Sequence, residues 1–188
     1  MPLPLITPRL LIRKLHPDDA AAVYAYRSDP TISRYQTWSP QNEEEIATFI
    51  EGMRDLDVDT EGTWYQCGII LTEAGILIGD IGLHFPPAEP RQAEIGITLA
   101  GSHQGCGYAT EALQGVVECL FTDLGKHRVY GRVDPRNARS IALLTRLGMR
   151  MEGHLRETVW DKGEWADDLI FALIEWEWRG MQRAGNLR

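Results

Sequence analysis

The feature that most constrains this sequence is a strand, a glycine turn and a helix in unbroken succession from residue 94 to residue 125. Residues 94–99 are a short apolar run that reads as a strand. Ala100-Gly101-Ser102-His103 leads from it to Gln104-Gly105-Cys106-Gly107-Tyr108-Ala109. Ala109, Ala112, Leu113, Val116, Val117, Leu120 and Phe121 then recur on one side of an amphipathic helix that ends at Gly125. Glycine lets the backbone turn tightly and lets a ligand approach with no β-carbon in the way. The first amides of a helix have no internal partners, and with the helix dipole they attract an anion such as a pyrophosphate.

Three phosphate ligands compete for such a turn. A P-loop needs GKS or GKT at the second glycine, and Gly107 is followed by Tyr108, which argues against ATP. A dinucleotide fingerprint needs a third glycine where Thr110 stands, and expects to open the chain rather than follow several strands. The pyrophosphate of acetyl-CoA is the third.

The remaining pattern supplies the setting. Residues 9–15 read as a strand, and Pro17-Asp18-Asp19 opens a helix running to about Arg27. Ser39-Pro40-Gln41-Asn42 precedes a helix from Glu43 to about Leu56. Residues 64–72 and 76–85 read as a hairpin across Glu73-Ala74-Gly75. A strand at 128–133, a short helix at 137–147 and strands at 151–161 and 164–175 follow, with Trp176 and Trp178 alternating at the end of the last. This order predicts one α+β domain with a mixed sheet over residues 1–188.

Composition narrows the function. A net charge of −8 repels phosphate backbones, which argues against a nucleic-acid partner and favours cationic substrates such as amines. No apolar run reaches the roughly eighteen residues of a membrane span, and the N-terminus lacks the pattern of a signal peptide, so the expected location is the cytoplasm, with no membrane partner. The three cysteines form no CxxC pair and the five histidines show no HExxH spacing, so no metal is expected.

Gln104-x-x-Gly107-x-Ala109 resembles the (Q/R)xxGx(G/A) motif of the GNAT superfamily of N-acetyltransferases, and the run extended to Ala112 is similar to its RimJ/RimL-type branch. Blocks along nearly the whole chain carry the same resemblance: Thr7-Pro8-Arg9-Leu10-Leu11-Ile12-Arg13, Ile78-Gly79-Asp80-Ile81-Gly82, Glu94-Ile95-Gly96-Ile97, Asn137-Ala138-Arg139-Ser140 and Leu147-Gly148-Met149. The resemblance implies a three-layer fold with a mixed, mostly antiparallel sheet of about seven strands. It implies a splay between the parallel strands 94–99 and 128–133 that takes the pantetheine arm of acetyl-CoA near Leu99. The pyrophosphate would then lie on the amides of Gln104, Gly105, Cys106, Gly107, Tyr108, Ala109 and Thr110. The partners it implies are acetyl-CoA and an amine acceptor, either a protein N-terminus or a small molecule; members often pair as homodimers.

Acetyl transfer needs a neutral amine, donors for the developing oxyanion and a proton for the leaving thiolate. Many GNAT enzymes take that proton from a tyrosine four residues past the serine of NxxS. Here that position is Leu144, which leaves Ser140 as the candidate acid and Asn137 as a pantetheine ligand, although Asn and Ser also cap helices well. Glu94 is the candidate base, and Asp168 stands where the branch often has an acid. Cys106 at a helix start could have a lowered pKa, but its place in the motif faces phosphate rather than thioester. Tyr35, Trp38, His84 and Trp160, with Trp64, fall in segments that the family places around the acceptor. The missing tyrosine also admits a second reading, a catalytically silent acyl-CoA-binding or sensing module.

Overall fold

The computed structural model describes residues 3–36 and 38–185. Eight strands form one open sheet: β1 (Leu5–Ile6), β2 (Leu10–Lys14), β3 (Trp64–Leu71), β4 (Ile76–His84), β5 (Gln92–Leu99), β6 (Arg128–Val133), β7 (Arg150–Asp161) and β8 (Glu164–Ile174). Their order is β1-β2-β3-β4-β5-β6-β8-β7, and every neighbouring pair is antiparallel except β5 with β6. The helices are α1 (Ala20–Arg27), α2 (Pro30–Ser33), α3 (Glu43–Gly52), α4 (Tyr108–Thr122), α5 (Ala138–Arg146) and α6 (Glu175–Arg183).

Local chemistry starts α1 and α3 where the sequence predicts. Before α1, the Asp19 carboxylate accepts from the His16 amide at 2.7 Å, and Pro17 needs no donor of its own. Asn42 caps α3 by accepting from the Glu45 amide at 2.8 Å, and Glu43, Glu44 and Glu45 suit the positive end of the helix dipole. Asp29 does the same for the short α2, which was not anticipated, by accepting from the Thr31 amide. The two-residue β1 at the sheet edge was likewise not anticipated.

One expectation is corrected. The last strand stops at Ile174, and Trp176 and Trp178 lie on α6 rather than on an extended chain. The Glu177 carboxylate accepts from the Ile174 amide at 3.1 Å and starts that helix. Trp178 is buried against Phe121, with ring centroids 5.4 Å apart, whereas Trp176 is largely exposed. Two tryptophans at a spacing of two mimic a strand, and only the cap and the side chain's burial distinguish the helix.

Apolar residues fill both faces of the sheet. On one face Leu10, Ile12, Ile69, Ile81, Leu83 and Ile95 pack with Leu113, Val116 and Leu120 of α4 and with Trp178 of α6. On the other, Val23 and Tyr26 of α1 pack with Ile46 and Ile50 of α3, over Leu15 and Leu77. Helices thus cover both faces, and the sheet is the middle of three layers.

The parallel pair sets up the site. β5 and β6 are in register only at Gln92–Arg128, Ala93–Val129 and Glu94–Tyr130. Past Glu94 they diverge: β5 stays with β4 as far as Leu99, and β6 stays with β8 as far as Val133. Leu144 of α5 supports the wedge from beside Gly131, where an added β-carbon would come within 3.4 Å of its methyl groups. The gap turns inner-edge backbone groups of residues 95–99 toward any ligand lying in it.

Candidate active site

The turn between β5 and α4 is shaped by its glycines. Gly105 and Gly107 have φ of +79° and +83°, in the left-handed region that a β-carbon disfavours. No side chain caps α4 at Gly107, so its first amides stay available to an anion. Gln104 is tied down at both ends. Its Nε2 donates to the Leu99 carbonyl at 3.0 Å, and its Oε1 accepts from Arg139 at 2.7 Å.

Three guanidinium groups converge on this turn from elsewhere in the chain. Arg9 pairs with Glu111 at 2.6 Å, donates to the Cys106 carbonyl at 3.1 Å and lies 4.5 Å over the Tyr108 ring. Arg139 holds Gln104, and Arg146 donates to Thr110 Oγ1 at 3.2 Å. The turn thus combines open amides with the guanidinium charges of Arg139 and Arg146, that of Arg9 being offset by Glu111, a setting that fits the phosphates of a nucleotide-bearing thioester. The roles of Arg139 and Arg146 escaped the sequence reading, although their i,i+7 spacing puts both on one face of α5. The Cys106 thiol is exposed, with its sulfur 3.7 Å from the Gln104 carbonyl.

Two cavities meet at the gap between β5 and β6. The larger, about 1890 Å³, runs along the turn, α4 and α5, and includes Leu99, Gly105, Gly107, Tyr108, Ala109 and Thr110. The smaller, about 840 Å³, includes Glu94, His84, Trp38, Trp64, Trp160 and Asp168. Tyr35, Ile97, Asn137 and Ser140 line both. Asn137 caps α5 by accepting from the Ser140 amide at 3.1 Å, so capping and a place at the junction coexist.

Glu94 lines the smaller cavity with its side chain mostly buried. Burial pushes its carboxyl above the ordinary carboxylate value, and the Arg132 charge and a hydrogen bond from Tyr130 only partly offset this. His84 Nδ1 stands 3.9 Å from Glu94 Oε2 and, among the described residues, is buried with no hydrogen-bond partner. The Trp64 ring stacks on His84 with centroids 5.1 Å apart and also lies over Gly82, where a β-carbon would approach it to 3.1 Å. Asp168 is not free: it is buried and accepts from Arg132 Nε at 2.5 Å. Trp160 is exposed and meets Trp165 edge-on at 5.3 Å.

Two further groups shape this cavity and were not read from the sequence. Asp80 is almost wholly buried and accepts from Tyr26 Oη at 2.5 Å, from Arg27 Nε at 3.0 Å and from Gln66. Arg27 in turn lies 4.8 Å from the Trp38 ring. Across the opening, Lys162 at the β7–β8 turn donates to the carbonyls of Ser33 (3.0 Å) and Gln36 (2.7 Å), which pins the segment carrying Tyr35. Among the described residues no group of His, Cys, Asp and Glu is placed to hold a metal ion, and no helix is long and apolar enough to cross a membrane.

Comparison with known proteins agrees with this geometry. The family profile described as "Acetyltransferase (GNAT) domain" matches residues 9–150. The chain is 34% identical over 177 residues to "Uncharacterized N-acetyltransferase p20" of Bacillus licheniformis, which covers 94% of this chain and 98% of the relative. It is 25% identical over 181 residues to the "[Ribosomal protein uS5]-alanine N-acetyltransferase" of Escherichia coli, covering 93% and 92%. Mycobacterium smegmatis RimJ, solved in complex with CoA-disulfide, superimposes with a TM-score of 0.79 at 26% identity, over 94% of this chain and 90% of that one. The splayed sheet, the glycine turn and these matches together make this chain a member of the GNAT acetyltransferase family.

Proposed function

We propose that residues 1–188 act as one domain that transfers the acetyl group of acetyl-CoA to a primary amine by direct attack, with both substrates bound at once. The observation that carries this reading is the meeting of two cavities at the β5–β6 gap, with Ser140 and Asn137 lining both and Glu94 lining the smaller. Acetyl-CoA supplies an activated acetyl thioester when bound. The amides from Gly105 to Thr110 and the guanidinium groups of Arg139 and Arg146 hold its phosphates, while the free edge of β5 near Leu99 and the Asn137 side chain orient its arm.

Glu94 accepts the proton of the attacking amine, which its raised affinity for protons favours. Inner-edge amides of β5 stabilise the oxygen on which negative charge develops. The Ser140 hydroxyl donates to the leaving sulfur in place of the missing tyrosine. Asp168 holds Arg132, while Tyr35, Trp38, His84 and Trp160 shape the acceptor side. That relatives include an enzyme named for a ribosomal-protein alanine and a homologue holding a CoA derivative supports an amine acceptor and a CoA donor.

The test is incubation with acetyl-CoA and a panel of amines and N-terminal peptides, read as thiol release and as a mass gain of one acetyl group. CoA binding with no release for any acceptor would favour the silent acyl-CoA-binding module, the reading that Leu144 at the tyrosine position supports.

A further inference from the structure

We infer, resting on the transfer proposed above, that Gly96 is a specificity-determining residue: the carbon bearing the acceptor amine occupies the space that a side chain at this position would fill. Glu94, Gly96 and Thr98 alternate onto one face of β5, in register with His84, Gly82 and Asp80 of β4. The rows on either side of Gly96 are filled. Trp64 stacks on His84 in the row of Glu94, and Asp80 and Thr98, in the row beyond, are 1% and 4% exposed. Gly96 is exposed between them, although β5 lies in the interior of the sheet.

Glycine inside a strand weakens it, so its presence there marks a bulge, a bend or a close approach. At the other glycines of β3 to β6 the close approach comes from the protein itself. A β-carbon at Gly68 would meet Leu77 Cδ1 at 2.7 Å, and one at Gly79 would run into the Thr98 carbonyl. One at Gly82 would meet Gln66 Oε1 at 3.0 Å, and one at Gly131 the Ile95 carbonyl at 3.3 Å. At Gly96, among the described residues, nothing lies within 4 Å of an added β-carbon. Its φ is outside the left-handed region, so its backbone does not call for glycine either. Gly153 of β7 is equally open, but it sits at a bulge and lines neither cavity. The use left for Gly96 is room for a ligand.

Its place on β5 identifies that ligand as the acceptor. Glu94, Ile95 and Gly96 line the smaller cavity only, Ile97 and Thr98 line both, and Leu99 lines the larger only. Gly96 is thus the last residue of β5 on the acceptor side, two residues or about 7 Å along the strand from Glu94. An amine nitrogen that reaches both the Glu94 carboxylate and a thioester at the junction holds its own carbon over the residue between them.

Gly96→Ala and Gly96→Val test this in the full chain, with saturating acetyl-CoA and three probes: spermidine, 2-phenylethylamine and an amidated tetrapeptide beginning with alanine. For the probe that the wild type uses best, kcat/KM is expected to fall about tenfold in the alanine variant and about a hundredfold in the valine variant, as overfilling an occupied space requires. CoA affinity by calorimetry is expected to stay unchanged. Tm is expected to hold or rise, since alanine and valine suit a strand better than glycine does. A glycine needed only for the fold would lower Tm together with activity. A parallel titration of the same probes into the CoA-bound protein, followed by tryptophan fluorescence, needs no turnover. If amine affinity weakens in the order glycine, alanine, valine while no thiol is released, the transfer reaction fails and the place of the acceptor over Gly96 stands. Equal kcat/KM and equal amine affinity in all three proteins overturn the inference. So do a loss of CoA affinity that matches the loss for the amine, a Tm that falls with activity, and a wild type that binds none of the probes.

Discussion

Glu94 occupies the last register pair before β5 and β6 separate, with Tyr130 beside it. Burial raises its carboxyl, so its ionised, proton-accepting form appears at a higher pH than for an ordinary carboxylate. Acetyl transfer should therefore show an acid limb, rising with pH through that raised value. Glu94→Gln is expected to abolish the limb and to lower kcat/KM by about 10²–10⁴ with CoA affinity unchanged; an unaltered pH profile would exclude Glu94 as the base. The same shift acts on stability with the opposite sign. The native state holds this proton more tightly than the unfolded chain, so the ionised carboxylate disfavours folding at pH values above both. Glu94→Gln should raise Tm at pH 7 and leave it unchanged where both states are protonated. Gly107 was legible in the sequence as a turn residue, but its φ of +83° is what makes it demanding. Gly107→Ala should destabilise the fold by about 1–2 kcal/mol in urea denaturation.

At the scale of elements, α5 joins two jobs. Its Asn137 cap stands at the cavity junction, while Arg139 and Arg146 reach back to the turn before α4. Arg139→Met and Arg146→Met are each expected to weaken CoA binding about tenfold by calorimetry, and the loss should shrink at high salt, where charge is screened. The cap was readable because an N-cap is a local signal, whereas the two arginines looked like ordinary solvated helix residues until the turn was placed against them. The β7–β8 hairpin likewise gains a role only in three dimensions. Lys162, itself at φ +49°, bonds carbonyls more than 120 positions earlier in the chain. Lys162→Met should speed amide hydrogen exchange in residues 33–36 and raise the acceptor KM, with little change in Tm.

Across the whole molecule, two packed faces and one split seam define what the protein can do. The buried Asp80, with Tyr26, Arg27 and Gln66 around it, ties α1 to the sheet beside the smaller cavity. Asp80→Ala leaves the Arg27 guanidinium buried and unpaired and should cost about 3–5 kcal/mol of stability, seen as a lower denaturation midpoint. The residue pattern by itself determined most of the element order and the β5-turn-α4 unit with its open helix N-terminus, because strand alternation, helix periodicity, caps and glycine turns are local and leave local traces. It misassigned Trp176 and Trp178 because their spacing fits a strand as well as a helix. Only the tertiary structure decided which charges meet. The gathering of Arg9, Arg139 and Arg146 at the turn, the pairing of Asp168 with Arg132 and the approach of His84 to Glu94 all join residues apart in the chain. Coulomb energy and desolvation depend on distance in space and on burial, and neither is written in the spacing of residues along the chain.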